Sequence, residues 1–360
     1  MKTVTFCFAT HNHQPIGNFD SVFEEAYEKS YKPFFEIAKN HPVKFATHFS
    51  GILLEWITNH HPEHIALLKE QVSSGNLEII SGGYYEPILA VIPDRDKAAQ
   101  IGKLTEAIKR SFGYEPTGLW LAERVWEQQL AAPLAESGIT YVVLDDTHFR
   151  AAGLTDSDLN GYYLTEDQGK IIAVFPISKE LRYTIPFQSV DETIKVLRDA
   201  ASEAADSIVT FADDGEKFGV WPRTFEHVYG EGWLEEFFTK LEENSSWIRT
   251  MHFSEALTQH KPKGRLYLPN ASYAEMMEWA LPSAGTMLKY ETFVSLLDAD
   301  KKKFEEYKQF VRGGFWRNFF VKYPESNHLH KRMQEVSNRC EALQFPQPAY
   351  DHLLAAQCND

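Results

Sequence analysis

Three carboxylates occur within four residues of the stretch TFADDGEKFGVWP, at Thr210–Pro222. Asp213, Asp214 and Glu216 follow an apolar run that predicts a strand, and each negative charge raises the pKa of its neighbours. A carboxyl group that keeps its proton near neutral pH can act as a general acid. A capped turn is the ordinary structural explanation of such an Asp-Asp-Gly sequence, so the chemical interpretation needs a second group elsewhere.

A second carboxylate, in different surroundings, lies in the stretch WLAERVWE at Trp120–Glu127. Glu123 precedes Arg124, whose positive charge would favour the ionised carboxylate that a nucleophile needs. Retaining glycosidases use such a pair: one carboxylate attacks the sugar, and one acid protonates the leaving oxygen. The residue types predict Glu123 as the nucleophile and Asp214 as the general acid/base. A surface ion pair is the ordinary alternative for Glu123 and Arg124.

The elements that must position these groups alternate between strands and helices over about the first 260 residues. The predicted strands are Thr3–Ala9, Val43–Phe49, Leu77–Ile80, Gly118–Leu121, Tyr141–Leu144, Ile171–Phe175, Ile208–Ala212 and Thr250–Phe253. The predicted helices are Phe23–Ala38, Ile65–Val72, Ala98–Phe112, Gln128–Glu136, Thr193–Ala204 and Leu234–Leu241. Seven or eight such alternations predict a parallel sheet that closes into a barrel.

Polar groups follow nearly every predicted strand, at the end where a parallel barrel carries its catalytic loops. In strand order, they are His11, Asn12 and His13; His48 and Ser50; Ser81–Pro87; Ala122–Glu127; Asp145–His148; and Asp213–Pro222. Each group has a structural explanation when it is taken singly. As a set they indicate one acidic, aromatic and histidine-bearing rim, across which Glu123 and Asp214 would face one another.

The pattern changes after Pro262. A mixed segment, Lys263–Ser272, precedes sequence dominated by helices, predicted at Glu275–Trp279, Met287–Leu297, Lys301–Val311 and Lys331–Leu343. We therefore expect a catalytic barrel over residues 1–262 and a helical subdomain over residues 263–360. The sequence ends without a closing cap or charged tail, so we expect it to be truncated.

Composition limits the classes of partner. The formal net charge of −15 argues against nucleic acid and anionic membranes, because both require clustered Lys and Arg. Three cysteines without metal or disulfide spacing favour a cytoplasmic location, and no stretch is long and apolar enough for a membrane span. Aromatic residues make up 14% of the chain, and aromatic faces favour a flat, neutral ligand such as a sugar.

Five motifs in order resemble the conserved regions of glycoside hydrolase family 57. They are HNHQP at His11–Pro15, GGYYEP at Gly82–Pro87, WLAERVWE at Trp120–Glu127, DDGEKFGVWP at Asp213–Pro222, and the terminal AQCND. The likeness runs along essentially the whole chain and is closest to the family's 4-α-glucanotransferases. The resemblance implies a (β/α)7 barrel followed by a helical segment, and a retaining mechanism.

The resemblance also implies roles for particular residues. The family's nucleophile matches Glu123, and its general acid/base matches Asp214. The matched substrate-binding positions are His11, His13, Glu78, Glu216, Trp221 and Asp360. The expected substrate is an α-1,4-glucan or maltooligosaccharide, with no metal and no cofactor, and a homodimer is an open expectation. Transferase-type relatives continue into a β-sandwich domain, which implies that this chain stops before it.

Three alternatives stay open at this stage. An α-amylase-type hydrolase of the same family would use the same two carboxylates. A metal site of the kind found in metal-dependent deacetylases or mannosidases would instead use His11, His13, His48 and the acid clusters as ligands. A truncated glucan-binding fragment would bind sugar with little turnover.

Overall fold

Nine β-strands form one sheet in the computed structural model, which describes residues 2–203, 207–300, 307 and 311–359. The strands are β1 Val4–Asn12, β2 Phe45–Phe49, β3 Leu77–Ile80, β4 Gly118–Leu119, β5 Tyr141–Asp145, β6 Tyr163–Asp167, β7 Lys170–Ile177, β8 Ser207–Asp214 and β9 Ile248–Thr250. β8 continues through Asp213 and Asp214, so the predicted end of this strand at Ala212 is two residues too early.

Seven of the strands form a nearly closed parallel barrel, which confirms the predicted fold class. The order is β3-β2-β1-β8-β7-β5-β4. The two outer strands of this path meet at Ser81, whose N–H donates to Gly118 O at 2.9 Å and whose carbonyl accepts from Trp120 N–H at 2.8 Å. Closure of the ring brings the carboxyl ends of all seven strands to one rim.

Side chains alternate between the barrel interior and the surrounding helices. On β1, Phe6 and Phe8 pack in the aromatic cluster beneath the helices, whereas Cys7 and Ala9 belong to the interior cluster. Because strand residues point alternately to opposite faces, His11 faces the same side as Ala9. Asp214 pairs in register with His11, so two groups of the predicted site share one face of the sheet.

The strand β6 was absent from the sequence prediction. It forms an antiparallel hairpin with β7 through Gln168 and Gly169, whose φ angles are 50° and 77°. Two consecutive residues with positive φ are typical of the tight turn that suits a two-residue hairpin. The prediction missed the strand because a Gln-Gly turn is a weaker signal than Asn-Gly or Asp-Gly.

Helices surround the barrel and continue beyond it. They are α1 Asp20–Ala26, α2 Lys32–Ala38, α3 Gly51–His60, α4 Pro62–Ser74, α5 Asp94–Phe112, α6 Ala131–Glu136, α7 Asp146–Ala151, α8 Lys179–Thr184, α9 Val190–Glu203, α10 Trp233–Glu243, α11 Phe253–Gln259, α12 Ala274–Trp279, α13 Ala284–Asp298, α14 Phe319–Lys322, α15 Pro324–Ala342 and α16 Gln347–Ala355. A π-helical turn joins α1 to α2, so the predicted helix Phe23–Ala38 is one helical run. The helix predicted at Lys301–Val311 lies largely outside the described residues.

The helical part packs against the barrel helix α5 through a buried carboxylate. Asp96 accepts hydrogen bonds from Ser337 Oγ and Gln357 Nε2, both at 2.7 Å, and from Tyr350 Oη at 3.0 Å. A fully buried carboxylate is stable only when such donors satisfy it. The domain boundary at residue 262 stays a prediction. None of the helices in the described ranges is long and apolar enough to cross a membrane.

Candidate active site

Asp213 is the centre of a buried ionic cluster at the end of β8. Its Oδ2 accepts hydrogen bonds from Arg182 Nε at 3.0 Å and from Lys217 Nζ, and its Oδ1 lies 3.6 Å from Arg124 Nη1. Burial opposes ionisation, but the three cations outweigh it and lower the pKa of Asp213. Asp213 is therefore a carboxylate at neutral pH. Arg182 also donates to Asp145 at 2.9 Å, which connects the ends of β5 and β8.

The next residue, Asp214, has the opposite protonation tendency. Burial is the largest cause that raises the pKa of Asp214 to about 7, and the charge of Asp213 adds to it. Arg124 and Lys217 oppose the shift, whereas Glu216 supports it. The predicted effect of crowding is confirmed in direction, although burial contributes more. Near neutral pH Asp214 can therefore both hold and release a proton, which suits a group that must act as acid and then as base.

Glu123 lies in a strained turn just after β4. Its φ angle is 53° and that of Arg124 is 51°, both in the left-handed region that non-glycine residues rarely adopt. Such strain of about 1–3 kcal/mol per residue persists only where surrounding contacts hold it, and it concentrates at functional sites. Here Ser272 Oγ donates to the Glu123 carbonyl at 2.5 Å. The turn is thus held by a residue from the segment that follows the barrel.

Tyr273, next to Ser272, contacts the Glu123 side chain directly. Its hydroxyl donates to Glu123 Oε2 at 2.6 Å. Burial raises the pKa of Tyr273 far above its ordinary value, as do the charge and hydrogen bond of Glu123. Tyr273 therefore keeps its proton well above neutral pH and stays a hydrogen-bond donor. The hydrogen bond engages Oε2 of the two carboxyl oxygens of Glu123.

The sequence-based reason for an ionised Glu123 needs correction. Arg124 was expected to favour the Glu123 carboxylate as its neighbour, but the guanidinium group lies against Asp213 and over the ring of Tyr273 at 4.6 Å. Both residues have positive φ, so the turn sends their side chains to different partners. The hydrogen bond that Glu123 receives comes from Tyr273, 150 positions further along the chain.

His11 and His48 form a stacked, hydrogen-bonded pair beside this site. Their Nδ1 atoms lie 2.8 Å apart, and the His11 ring stacks on Trp120 at 4.4 Å with an angle of 9° between the planes. Burial is the largest cause that lowers the pKa of both histidines, and neighbouring groups add to it; together these causes lower the pKa of His48 to about 3. Both rings are therefore neutral, and one nitrogen of each carries the proton.

Glu216 connects the loops after β8 and β1. Its Oε1 accepts a hydrogen bond from His13 N–H at 3.0 Å and another from the buried Tyr31 hydroxyl. Burial raises the pKa of Glu216, and these two donors partly oppose the shift. The predicted residues His13 and Glu216 are thus in direct contact. A sugar-binding role for either one stays a prediction.

Trp221 is the exposed aromatic member of the predicted set. Its side chain is 40% exposed and stacks beside Phe187, with ring centroids 5.9 Å apart. Lys217 Nζ lies 5.3 Å from both ring centroids. Lys217 also donates to Asp213, so this exposed aromatic ring lies beside a member of the ionic cluster and has the chemistry to stack against a sugar ring.

The structure does not bring one of the predicted substrate-binding residues, Glu78, into this cluster. Glu78 lies inside the barrel, and its two oxygens accept from Phe253 N–H at 2.8 Å and Ser254 N–H at 3.3 Å, at the start of α11. In register it pairs with Ala46, two residues below the level of His48. Its role in sugar binding stays a prediction, and Asp360 lies outside the described residues.

One group of side chains in the described part of the chain has the spacing to hold a metal ion. His11, His48 and Glu86 each offer one ligand atom, and these atoms lie within 4.8 Å of one another. This group shares His11 and His48 with the alternative metal site considered above and does not include His13. The expectation of no metal stays a prediction.

Sequence reasoning missed several residues that shape the site. Tyr273 and Ser272 lie beyond the predicted barrel, and Arg182 lies in a helix that was not predicted. No local signal distinguishes them, because their importance comes from contacts with residues at the ends of β4, β5 and β8. Tyr31 was missed for the same reason: its partner Glu216 is 185 positions away.

Comparisons with known proteins agree on one family. The profile of glycosyl hydrolase family 57 matches residues 7–269, and that of the alpha-amylase/4-alpha-glucanotransferase middle domain matches residues 314–360. A 4-alpha-glucanotransferase of Thermococcus kodakarensis is 49% identical over the whole of this chain, and an alpha-amylase of Pyrococcus abyssi is 50% identical over the whole of it. In each case the matched part is 54% of the relative's length.

A solved structure gives the same result. The crystal structure of 4-alpha-glucanotransferase from Thermococcus litoralis superimposes with a TM-score of 0.94 at 49% sequence identity. The match covers 100% of this chain and 56% of that one. The chain therefore spans about half the length of the curated relatives it matches.

Proposed function

We propose that this chain, which belongs to glycosyl hydrolase family 57, is a retaining enzyme that transfers α-1,4-linked glucan segments, a 4-α-glucanotransferase. The observation that carries the proposal is the pair of carboxyl groups with different surroundings. Asp214 has a pKa raised to about 7, whereas Glu123 receives a hydrogen bond from Tyr273 in a strained turn. One acid and one nucleophile are what glycosidic bond cleavage with retention requires.

In the first step, Asp214 donates its proton to the glycosidic oxygen while Glu123 attacks the anomeric carbon. The bond from that carbon to the leaving oxygen breaks, and an ester between the sugar and Glu123 forms. The part of the glucan that carries the new hydroxyl then leaves. The hydrogen bond from Tyr273 keeps the attacking carboxylate in one orientation throughout.

In the second step, Asp214 acts as a base. It accepts the proton of an acceptor hydroxyl, whose oxygen attacks the anomeric carbon and releases Glu123 as a carboxylate. A sugar hydroxyl as the acceptor gives transfer, and water gives hydrolysis. The outcome depends on how well the site excludes water and holds an acceptor, and Trp221 offers an exposed aromatic face for that purpose.

The hydrolase is the second candidate, because relatives of similar identity carry the name alpha-amylase. Incubation of the purified chain with maltotriose separates the two activities. Glucose together with oligosaccharides longer than maltotriose indicates transfer, and smaller sugars alone indicate hydrolysis. Maltooligosaccharide binding without any product would show a glucan-binding fragment and contradict the proposal.

The proposal extends to partners and location. The substrate is an α-1,4-glucan or maltooligosaccharide, and the acidic net charge of −15 is consistent with a neutral ligand. A cytoplasmic enzyme fits the three scattered cysteines. A homodimer stays a prediction, which light scattering of the purified protein tests.

A further inference from the structure

Glu86 is a buried carboxylate beside the site for which neither the motifs nor the proposed mechanism supplies a role. It lies in the loop Gly82–Pro87 and is 4% exposed. Its φ angle of 54° places it in the left-handed region, which is strained for glutamate. The loop is held from outside, since Asn359 N–H donates to the Glu86 carbonyl at 3.2 Å. A strained, buried carboxylate held in this way is typical of a functional position.

The Glu86 side chain faces His48. Oε1 of Glu86 lies 3.4 Å from Nε2 of His48, a ring that is fully buried. That nitrogen has no hydrogen-bond partner among the described residues. A movement of about 0.4 Å would bring the two atoms to an ordinary hydrogen-bond distance.

Gly82 supplies the room for this approach. A Cβ atom at this position would lie 2.4 Å from His48 Nε2, far inside van der Waals contact. Any other residue at Gly82 would therefore displace the imidazole or the loop. The first glycine of the GGYYEP motif, Gly82, is therefore required by the close approach of His48.

His48 contacts a different group through each of its two ring nitrogens. This arrangement is a chain of side chains and not a set of ligands around a single metal ion. Its Nδ1 lies 2.8 Å from His11 Nδ1, whereas its Nε2 faces Glu86. The two nitrogens lie on different sides of the imidazole ring and their lone pairs diverge. A single ion can therefore coordinate only one of them. The observed directions favour a hydrogen-bonded sequence from Glu86 through His48 to His11.

We propose that Glu86, acting through His48, sets the tautomer of His11 and makes its Nε2 a hydrogen-bond acceptor in the sugar site. As a carboxylate, Glu86 can only accept, so it selects the His48 tautomer with the proton on Nε2. His48 Nδ1 then carries a lone pair and accepts the Nδ1–H of His11. His11 Nε2 is left with a lone pair for a sugar hydroxyl. The hydrogen bond between His11 Nε2 and a sugar hydroxyl rests on the proposed function, whereas the assigned tautomers of His48 and His11 do not.

Glu86 is a positioning residue in this scheme, because it acts through another side chain. The stacking of His11 on Trp120 fixes the plane of the ring, and the chain of hydrogen bonds fixes which edge carries the proton. A ring with the opposite tautomer would present a donor to the sugar at the same place. The sugar hydroxyl could then only accept from His11, and its own hydrogen would lose the acceptor that the wild-type tautomer provides.

Nitrogen-15 NMR of histidine-labelled protein tests the tautomers without any sugar. In the wild type we expect the proton on Nε2 of His48 and on Nδ1 of His11. In Glu86→Met, which lacks an acceptor at similar side-chain length, we expect both rings to lose this single tautomer. Glu55→Gln is the matched control: Glu55 accepts from Tyr84 of the same loop at 2.5 Å, yet it lies on the outer side. It should keep the wild-type tautomers.

The activity assay supplies a second readout. We expect kcat/KM for maltotriose to fall about tenfold in Glu86→Met, the loss of one hydrogen bond to the substrate, and to stay unchanged in Glu55→Gln. If the wild type has the expected tautomers but makes no product from maltotriose, the proposed function fails and the tautomer assignment stands.

Three results would overturn the inference. One is the opposite pair of tautomers in the wild type, which decides the matter even if Glu86→Met does not fold. Another is an unchanged His11 tautomer in folded Glu86→Met. The third is stoichiometric binding of added Zn²⁺ with shifts of the His11 and His48 signals, which would make the three side chains metal ligands.

Discussion

The two carboxyl groups of the proposed pair lie in corners of the barrel that are built differently. The corner after β8 draws much of its charge from its own stretch of sequence, since Asp213, Glu216 and Lys217 all act on Asp214. The corner after β4 depends on distant residues: Ser272 and Tyr273 contact Glu123 from beyond the barrel strands. The charges around the acid therefore come largely from its own stretch of sequence, whereas its burial, the largest cause of its raised pKa, and the placement of the nucleophile come from the tertiary structure.

The largest expected effect is the loss of activity on substitution of either carboxyl group, and it distinguishes the chemical roles of the two corners. Glu123→Gln and Asp214→Asn should each lower transfer from maltotriose about 10⁴-fold, because each removes a reacting group. With an aryl maltoside, whose leaving group needs no proton, Asp214→Asn should still form the maltosyl ester, and Glu123→Gln should not. Mass spectrometry of the protein detects the ester. An ester in Glu123→Gln, or full activity of either variant, would contradict the assignment of the two roles. Substitution of the exposed Glu136, as Glu136→Gln, is the control.

The second prediction concerns the ionic cluster of the acid corner. Asp213→Asn removes a charge that raises the pKa of Asp214 and leaves Arg124 and Lys217, which lower it. Because the first step needs protonated Asp214, wild-type kcat/KM should fall as the pH rises above about 7. In Asp213→Asn this fall should begin about one pH unit lower, with activity at pH 8 about tenfold below wild type.

A pH–rate profile of the two proteins measures this shift. Glu115→Gln is the control, since Glu115 also pairs with a lysine, Lys109 at 2.9 Å, but on the protein surface. An unchanged profile in Asp213→Asn would show that Asp213 does not control the proton of Asp214.

The third prediction tests the tertiary character of the nucleophile corner. Tyr273→Phe removes the hydrogen bond to Glu123 Oε2 while keeping the ring, so kcat should fall about tenfold with a small change in KM. Tyr267→Phe removes a similar bond of 2.6 Å to Glu166 on the surface and should leave kcat unchanged. Equal losses in both variants, measured by maltotriose turnover, would show that Tyr273 acts only on stability.

The raised pKa of Asp214 also has a consequence for stability. The folded protein holds a proton up to about pH 7 that an ordinary aspartate loses near pH 3.8. Stability from this group is therefore lost as the pH rises through that window. Asp214→Asn should raise the melting temperature by a few degrees at pH 8 and by much less at pH 4. Calorimetry at both values checks this, and an equal change at both would contradict the raised pKa.

The smallest expected effect lies at the edge of the acid corner. Trp221→Ala removes an exposed ring and should raise KM for longer maltooligosaccharides about threefold to tenfold, with kcat little changed. Phe225→Ala is the control, because Phe225 is similarly exposed, at 44%. A loss of kcat instead of a rise in KM would indicate that Trp221 shapes the Asp214 loop rather than the sugar platform.

The sequence by itself determined the architecture and the identity of the candidate pair. Alternating apolar strands and amphipathic helices predicted the parallel barrel, and polar residues at strand ends predicted which side chains share its rim. The direction of the pKa shift of Asp214 was predictable because Asp213 and Glu216 are neighbours in the chain, whereas burial, its largest cause, was not. Such inferences succeed because strand period, helix period and charge crowding depend on residues only a few positions apart.

Only the tertiary structure decided the partners of these groups. It gave Glu123 a hydrogen bond from Tyr273 and not an ion pair with Arg124, and it placed Glu78 below the rim at the start of α11. It also brought Glu86 to His48. These contacts join residues between 38 and 175 positions apart. Which distant side chains meet depends on how the closed barrel and its helices pack, and no local pattern of residues records that packing.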